Sequence, residues 1–328
     1  MRLMIYEPAF RRIEGEIAPC LDKLDLLLVD NEGRITSDGM LIDQEQAQPD
    51  AGWIGADAMG GAGGRAILIS CLKSHRLSWA HTGAAGVDNP VWRQLVEKGA
   101  VLTTGHGQAD SIAEYVLAEV MARFQRVAER RAEQAAHKWS RLPFREVAGT
   151  RWLLVGFGAI GQGVAQRAKG FGAHVDAVRR SGAAHPLADR VIALSDVKSL
   201  LPQADVVVLS PPLNDETRGL ADAAFFAAMK PRSLLVNVGR GQLVDEAALL
   251  AALDKGIPEH AILDVFHAEP LPADSPFWDH PTVSLTPHAS AFGSGAAARN
   301  DAMFVENLKR RLKGEPLLYE ADARDLGR

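Results

Sequence analysis

The feature that most constrains the fold is an alternation of short apolar runs and helical segments beginning near Thr150. RWLLV (Arg151–Val155), HVDAV (His174–Val178), ADVVVLS (Ala204–Ser210), SLLVNVG (Ser233–Gly239), HAILDVF (His260–Phe266) and TVSLTPH (Thr282–His288) each read as a strand. Helical segments Ala159–Lys169, Ala221–Met229 and Asp245–Lys255 separate most of them. Strands returning through helices make a doubly wound parallel sheet. The first hundred residues alternate in the same way. Strand-like runs lie at Leu3–Tyr6, Leu24–Val29, Gly52–Ala56, Ile67–Cys71, Leu77–His81 and Val101–Thr103, with a helix over Pro90–Lys98. Gly60–Gly64 reads as a flexible surface turn. A long helix is expected over Ser111–His137, opened by a capping box at Ser111 and Glu114. A last helix is expected over Gly295–Leu312.

A length of 328 residues suggests two domains. The pattern predicts a discontinuous first domain, 1–104 plus 293–328, interrupted by a second over 105–292. The 36 basic and 41 acidic residues leave a net charge of −5, which argues against a nucleic-acid binder. The longest pure apolar runs, such as Leu26–Val29, fall far short of the ~18 residues that span a bilayer. The two cysteines, Cys20 and Cys71, exclude a disulfide framework and a Cys/His zinc cluster. The expectation is a cytoplasmic protein with no metal, membrane or nucleic-acid partner.

Gly156-Phe-Gly158-Ala159-Ile160-Gly161 has the G-x-G-x-x-G spacing, follows an apolar strand and opens a helix. That context makes it a dinucleotide site: Gly156 for the tight turn, Gly158 for close approach of a pyrophosphate, Gly161 for helix packing. The anion sits on unpaired N–H groups at the helix N-terminus. An acidic residue about 20 positions on selects NAD by binding the adenosine ribose. Here the corner carries Arg179, Arg180 and Ser181, while Asp176 falls inside the strand. Two guanidiniums suit a 2′-phosphate, so NADP(H) is preferred and NAD(H) is the alternative.

The residues resemble the D-isomer-specific 2-hydroxyacid dehydrogenases. VNVGRGQLVDEAALLAAL (Val236–Leu253), LDVFHAEPLP (Leu263–Pro272) and LTPHASA (Leu285–Ala291) are similar to three family signatures, in the family's order. AAGVD (Ala84–Asp88) resembles its substrate loop and AEY (Ala113–Tyr115) the start of its interdomain helix. The resemblance implies a Rossmann dinucleotide domain within a flavodoxin-like substrate domain, both doubly wound parallel sheets. It implies a homodimer acting on a small 2-oxo or 2-hydroxy acid. It makes Arg240 the substrate-binding arginine, Glu269 and His288 the acid–base pair, and Asp264 the carboxylate beside the nicotinamide. Ala85 and Gly86 match the loop that holds the substrate carboxylate. Pro212, Thr217 and Val238 match positions lining the cofactor.

The chemistry is legible beside that likeness. Arg240, Glu269 and His288 each follow the end of an expected strand, where open α/β sheets bind ligands. Reduction of a 2-oxo acid needs a hydride, a proton and a grip on the carboxylate. A histidine exchanges protons near neutrality, and a neighbouring carboxylate such as Glu269 favours its charged form. Arg240 is a fixed charge for the carboxylate and the polarised carbonyl. Two other readings keep the fold: a formate- or phosphite-oxidising dehydrogenase, and a nucleotide-sensing interaction protein resembling the C-terminal-binding-protein corepressors.

Overall fold

A computed structural model describes residues 1–84 and 86–327, which form two compact units. The first comprises Met1–Gln108 and Ser294–Arg328, the second Ala109–Gly293.

The first unit contains β1 (Arg2–Tyr6), β2 (Asp25–Val29), β3 (Ile35–Ser37), β4 (Met40–Ile42), β5 (Ala51–Ile54), β6 (Trp79–Thr82) and β7 (Val101–Thr104). They form one sheet in the order β4-β3-β2-β1-β5-β6-β7. The run β2-β1-β5-β6-β7 is parallel, with the flavodoxin-like strand order. Neighbouring residues of one strand face opposite cores. Leu3 and Ile5 pack with Trp53, Trp79 and Phe304, whereas Met4 packs with Ile54, Ile67 and Leu95. Trp53 stacks on Phe304 of the helix Ala296–Lys313, with centroids 4.0 Å apart and planes 8° from parallel.

Three expectations for this unit need correction. Ile67–Cys71 is not a strand; it lies in the helix Ala62–Lys73. A short apolar run carries no period that separates the two states. Gly60–Gly64 is only half a surface turn. Gly63 and Gly64 are buried in that helix, and a Cβ on Gly64 would stand 2.2 Å from the Ala58 carbonyl oxygen. The sheet also carries an antiparallel extension, β3 and β4, absent from the expected pattern.

The second unit contains β8 (Arg151–Val155), β9 (His174–Val178), β10 (Arg190–Ile192), β11 (Val206–Leu209), β12 (Leu234–Asn237), β13 (His260–Leu263) and β14 (Val283–Leu285). All pair in parallel, in the order β10-β9-β8-β11-β12-β13-β14. This is the Rossmann arrangement, with its topological switch between β8 and β11. Leu153, Val155, Val207 and Leu209 enter one core, while Trp152, Leu154, Val206 and Val208 enter the other. The long helix expected over Ser111–His137 is two helices, Ala109–Phe124 and Val127–Ala135. Arg126 between them sits at φ +55°, which a continuous right-handed helix excludes. The first helix starts at Ala109, so Ser111 lies inside its first turn and is not its cap. Among the described residues no helix is long and apolar enough to cross a membrane.

Candidate active site

The glycine turn joins β8 to the helix Ala159–Gly170, and its three glycines have three different surroundings. Gly156 sits at φ +92°, and a Cβ there would stand 2.4 Å from the Pro211 nitrogen, across the switch point. On Gly161 a Cβ would stand 2.2 Å from the Gly156 carbonyl oxygen. A Cβ on Gly158 would meet nothing within 4 Å. Gly156 and Gly161 are thus required by the fold itself. Gly158, with Ala159 and Ile160 in the first turn behind it, borders open space at the N-terminus of a helix. A dinucleotide pyrophosphate fits that cradle, with unpaired N–H groups ahead of it.

Arg179 follows β9 directly, its backbone N–H donating to Ile192, and Arg180 is exposed beside it. Asp176 is withdrawn from this corner. It is buried and held by Arg190 at 3.0 Å and Arg151 at 3.3 Å. The exposed charge at the end of β9 is positive. Pro212 and Thr217 belong to the loop after β11. Pro212 is exposed, whereas Thr217 is buried and donates its hydroxyl to the Pro212 carbonyl at 2.7 Å. Thr217 therefore shapes that loop from inside.

The remaining groups follow three adjacent strands. Val238, Gly239 and Arg240 follow β12, Asp264 and Glu269 follow β13, and His288 follows β14. Asn237 ties the first two loops: its amide donates to the Arg240 carbonyl at 2.9 Å, and its carbonyl accepts from Asp264 N at 3.0 Å. A Cβ on Gly241 would lie 2.0 Å from the Phe266 carbonyl carbon, so only glycine lets these backbones approach so closely. Phe266 N in turn donates to Glu269 Oε1 at 3.0 Å. Val238 is buried; Arg240 is half-buried, with Nη1 2.9 Å from the Gly239 carbonyl oxygen.

His288 Nδ1 lies 2.8 Å from Glu269 Oε2. Its side chain remains 47 % exposed. The carboxylate orients the ring through Nδ1 and leaves Nε2 as the atom that can exchange a proton with a ligand. His288 adopts φ +52°, unusual for a residue with a side chain. Its N–H donates to the Asp264 carbonyl at 2.8 Å and to Thr286 at 3.0 Å.

The Asp264 carboxylate is held from within the protein. The residue is 1 % exposed. Oδ1 accepts from Thr286 Oγ1 at 2.6 Å and Ala289 N at 2.8 Å, and Oδ2 accepts from the Ser290 hydroxyl and, at 3.2 Å, its N–H. The carboxylate fastens the loop that carries His288. Thr286, Ser290 and Tyr115, which join this network, escaped the sequence reading. Thr286 and Ser290 flank His288 within LTPHASA, so their hydroxyl chemistry was the available signal. Ala85 lies outside the described residues. Gly86 belongs to the first unit, beyond the end of β6.

Comparison with known proteins resolves the ancestry. Residues 117–290 match the model for the NAD binding domain of the D-isomer specific 2-hydroxyacid dehydrogenases. The chain belongs to the D-isomer specific 2-hydroxyacid dehydrogenase family. Glyoxylate/hydroxypyruvate reductase B of Pectobacterium carotovorum subsp. carotovorum (strain PC1) is 34% identical over 276 residues, covering 79% of this chain and 83% of that protein. A family member from Aeromonas salmonicida subsp. salmonicida A449 superposes with a TM-score of 0.79 at 31% identity, over 98% of both chains. Another, from Xanthobacter autotrophicus Py2 in complex with NADPH and MES, gives 0.77 at 26% identity, over 98% of this chain and 99% of that one. This family member is an oxidoreductase with a nicotinamide-cofactor domain.

Proposed function

We propose that this dehydrogenase reduces a small 2-oxo acid to the D-2-hydroxy acid, prefers NADPH, and uses His288 as its proton donor. The observation that carries the reading is the 2.8 Å pair of His288 Nδ1 and Glu269 Oε2, on loops after adjacent strands, with Arg240 on the loop after the next. When bound, the nicotinamide supplies the hydride. Gly158 and the helix turn behind it hold the pyrophosphate, and Arg179 with Arg180 binds a 2′-phosphate through planar guanidiniums. Arg240 binds the substrate carboxylate and draws charge toward the carbonyl oxygen. His288 Nε2 delivers the proton to that oxygen, and Glu269 keeps the ring aligned and balances its positive charge. Glyoxylate and hydroxypyruvate are the first substrates to try, because the named Pectobacterium relative is a reductase of that description.

The test is a steady-state panel of glyoxylate, hydroxypyruvate and an arylpyruvate, each with NADPH and NADH, run beside formate and phosphite with NADP+ and NAD+, and chiral analysis of a product. NADPH-linked turnover with a D product is expected. Turnover of formate or phosphite instead, or cofactor binding without any turnover, would overturn the reading.

A further inference from the structure

The residues around Asp264 form a chain of hydroxyl groups that reaches from a helix to the His288 loop. Tyr115 lies in the helix Ala109–Phe124. Its hydroxyl is 2.9 Å from Thr286 Oγ1, which is 2.6 Å from Asp264 Oδ1. A carboxylate only accepts, and a threonine hydroxyl has a single proton. Thr286 therefore donates to Asp264, and Tyr115 donates to Thr286. Burial pushes the Tyr115 phenol up to about 12, so it keeps the proton this order requires.

The other end of the chain is the His288 backbone. The same Oδ1 accepts from Ala289 N, and the Asp264 carbonyl accepts from His288 N, both at 2.8 Å. These bonds hold His288 at φ +52°, where a side-chain-bearing residue stays only if its surroundings dictate it. In that conformation Nδ1 meets Glu269.

We propose that Tyr115 is a positioning residue for His288, acting through Thr286 and Asp264. Its donation polarises the Thr286 hydroxyl, whose direction Asp264 fixes, and so tunes the strength of the bonds that pin the proton-donating loop. Hydrogen bonds in such a chain polarise one another, so removal of the first donor is felt at the last acceptor. The role rests on the reading of His288 as proton donor. It adds a residue 173 positions away in sequence that touches none of the reacting groups.

Tyr115→Phe keeps the ring and removes only the donor; Thr286→Val removes the link; Thr286→Ser restores it. Misplacement of a catalytic group by an ångström costs up to about 10²-fold, which scales the expectation. With NADPH and the best 2-oxo acid, Tyr115→Phe is expected to lower kcat about three- to tenfold and Thr286→Val about 30- to 100-fold. Thr286→Ser should stay near the unaltered protein. The KM for the oxo acid and the NADPH Kd should hold within about twofold, a split that general loosening of the fold would not produce. The second readout needs no turnover: ring-nitrogen NMR of 15N-histidine protein, with His288 assigned by its loss in His288→Gln. The Nδ1–H form of the ring, bonded to Glu269, should dominate in the unaltered protein and in Thr286→Ser, and be depleted in Tyr115→Phe and Thr286→Val. If no 2-oxo acid is turned over, the proposed function fails, and the NMR comparison still decides this inference. Unchanged His288 nitrogen signals in Tyr115→Phe, or an unchanged kcat where turnover exists, would overturn it.

Discussion

His288 owes its geometry to neighbours that are remote in sequence: Glu269 aligns the ring and Asp264 the backbone, the latter with the N–H bond to Thr286. If the ring is the proton donor, His288→Ala should lower kcat by about 10²-fold or more while NADPH still binds, the usual scale for an acid–base group. Stopped-flow turnover paired with a fluorescence titration of the cofactor checks both halves. Within β9, Asp176 is paired with two arginines, so the half-buried Arg179 at the strand's end, beside the exposed Arg180, is the proposed discriminator between the two cofactors. Arg179→Asp should weaken NADPH and strengthen NADH, read as the ratio of their dissociation constants. An unaltered ratio would remove Arg179 from cofactor choice.

Among the elements, the glycine turn separates requirements of the fold from requirements of the ligand. Gly158→Ala meets nothing within 4 Å and Gly158 has φ −80°, which alanine adopts freely. Its thermal midpoint without cofactor should match or slightly exceed that of the unaltered protein, since alanine restricts the unfolded chain. If Gly158 borders the pyrophosphate as proposed, the variant's NADPH Kd should rise about tenfold or more, because a methyl group there would occupy the ligand's approach. Gly161→Ala should behave in the opposite way. Its Cβ would stand 2.2 Å from the Gly156 carbonyl oxygen, so stability should fall by about 1–3 kcal/mol, the usual cost of overpacking. Paired denaturant melts of the two variants make the comparison. The β3–β4 hairpin also teaches something at this scale. Asp38-Gly39 joins the two strands with φ +48° and +76°, a Asp-Gly hairpin signal that stood in the sequence. Its strands have three residues each, too few for a two-residue period to show.

For the molecule as a whole, each unit carries a buried neutral histidine. Burial pulls His81 down to about 3 and His260 down to about 4. His81 Nδ1 meets Thr103 Oγ1 at 2.8 Å among the rings of Trp53, Trp79 and Phe304, and His260 Nε2 meets Ser284 Oγ at 2.9 Å. In the unfolded chain both titrate near 6.5. Below that pH the unfolded chain binds protons that the folded one refuses. Stability is therefore full above pH 6.5 and falls as the pH drops toward the folded values, by up to about 1.4 kcal/mol per pH unit for each histidine. Urea midpoints between pH 7.5 and 4.5 should decline along this slope. His260→Gln should flatten the part that belongs to the second unit; a midpoint independent of pH over that range would contradict the assignment.

The order of apolar runs and turns by itself determined the parallel cores of the two doubly wound sheets, because burial of both faces writes itself into their central strands. The spacing of glycines was equally legible, since a tight turn and a close helix contact act within six residues. The likeness to the family's signatures singled out Arg240, Glu269 and His288, and the structure puts each on a loop after a strand. Only the tertiary structure decided what Asp264 and Asp176 do. An aspartate looks the same in sequence whether it faces a ligand, fastens a loop or is neutralised by Arg151 and Arg190. The difference lies in hydrogen bonds between residues far apart along the chain, and such pairings leave no period to read. Tyr115 and Thr286 belong to the same class: their meeting exists only once a helix and the end of β14 are folded side by side.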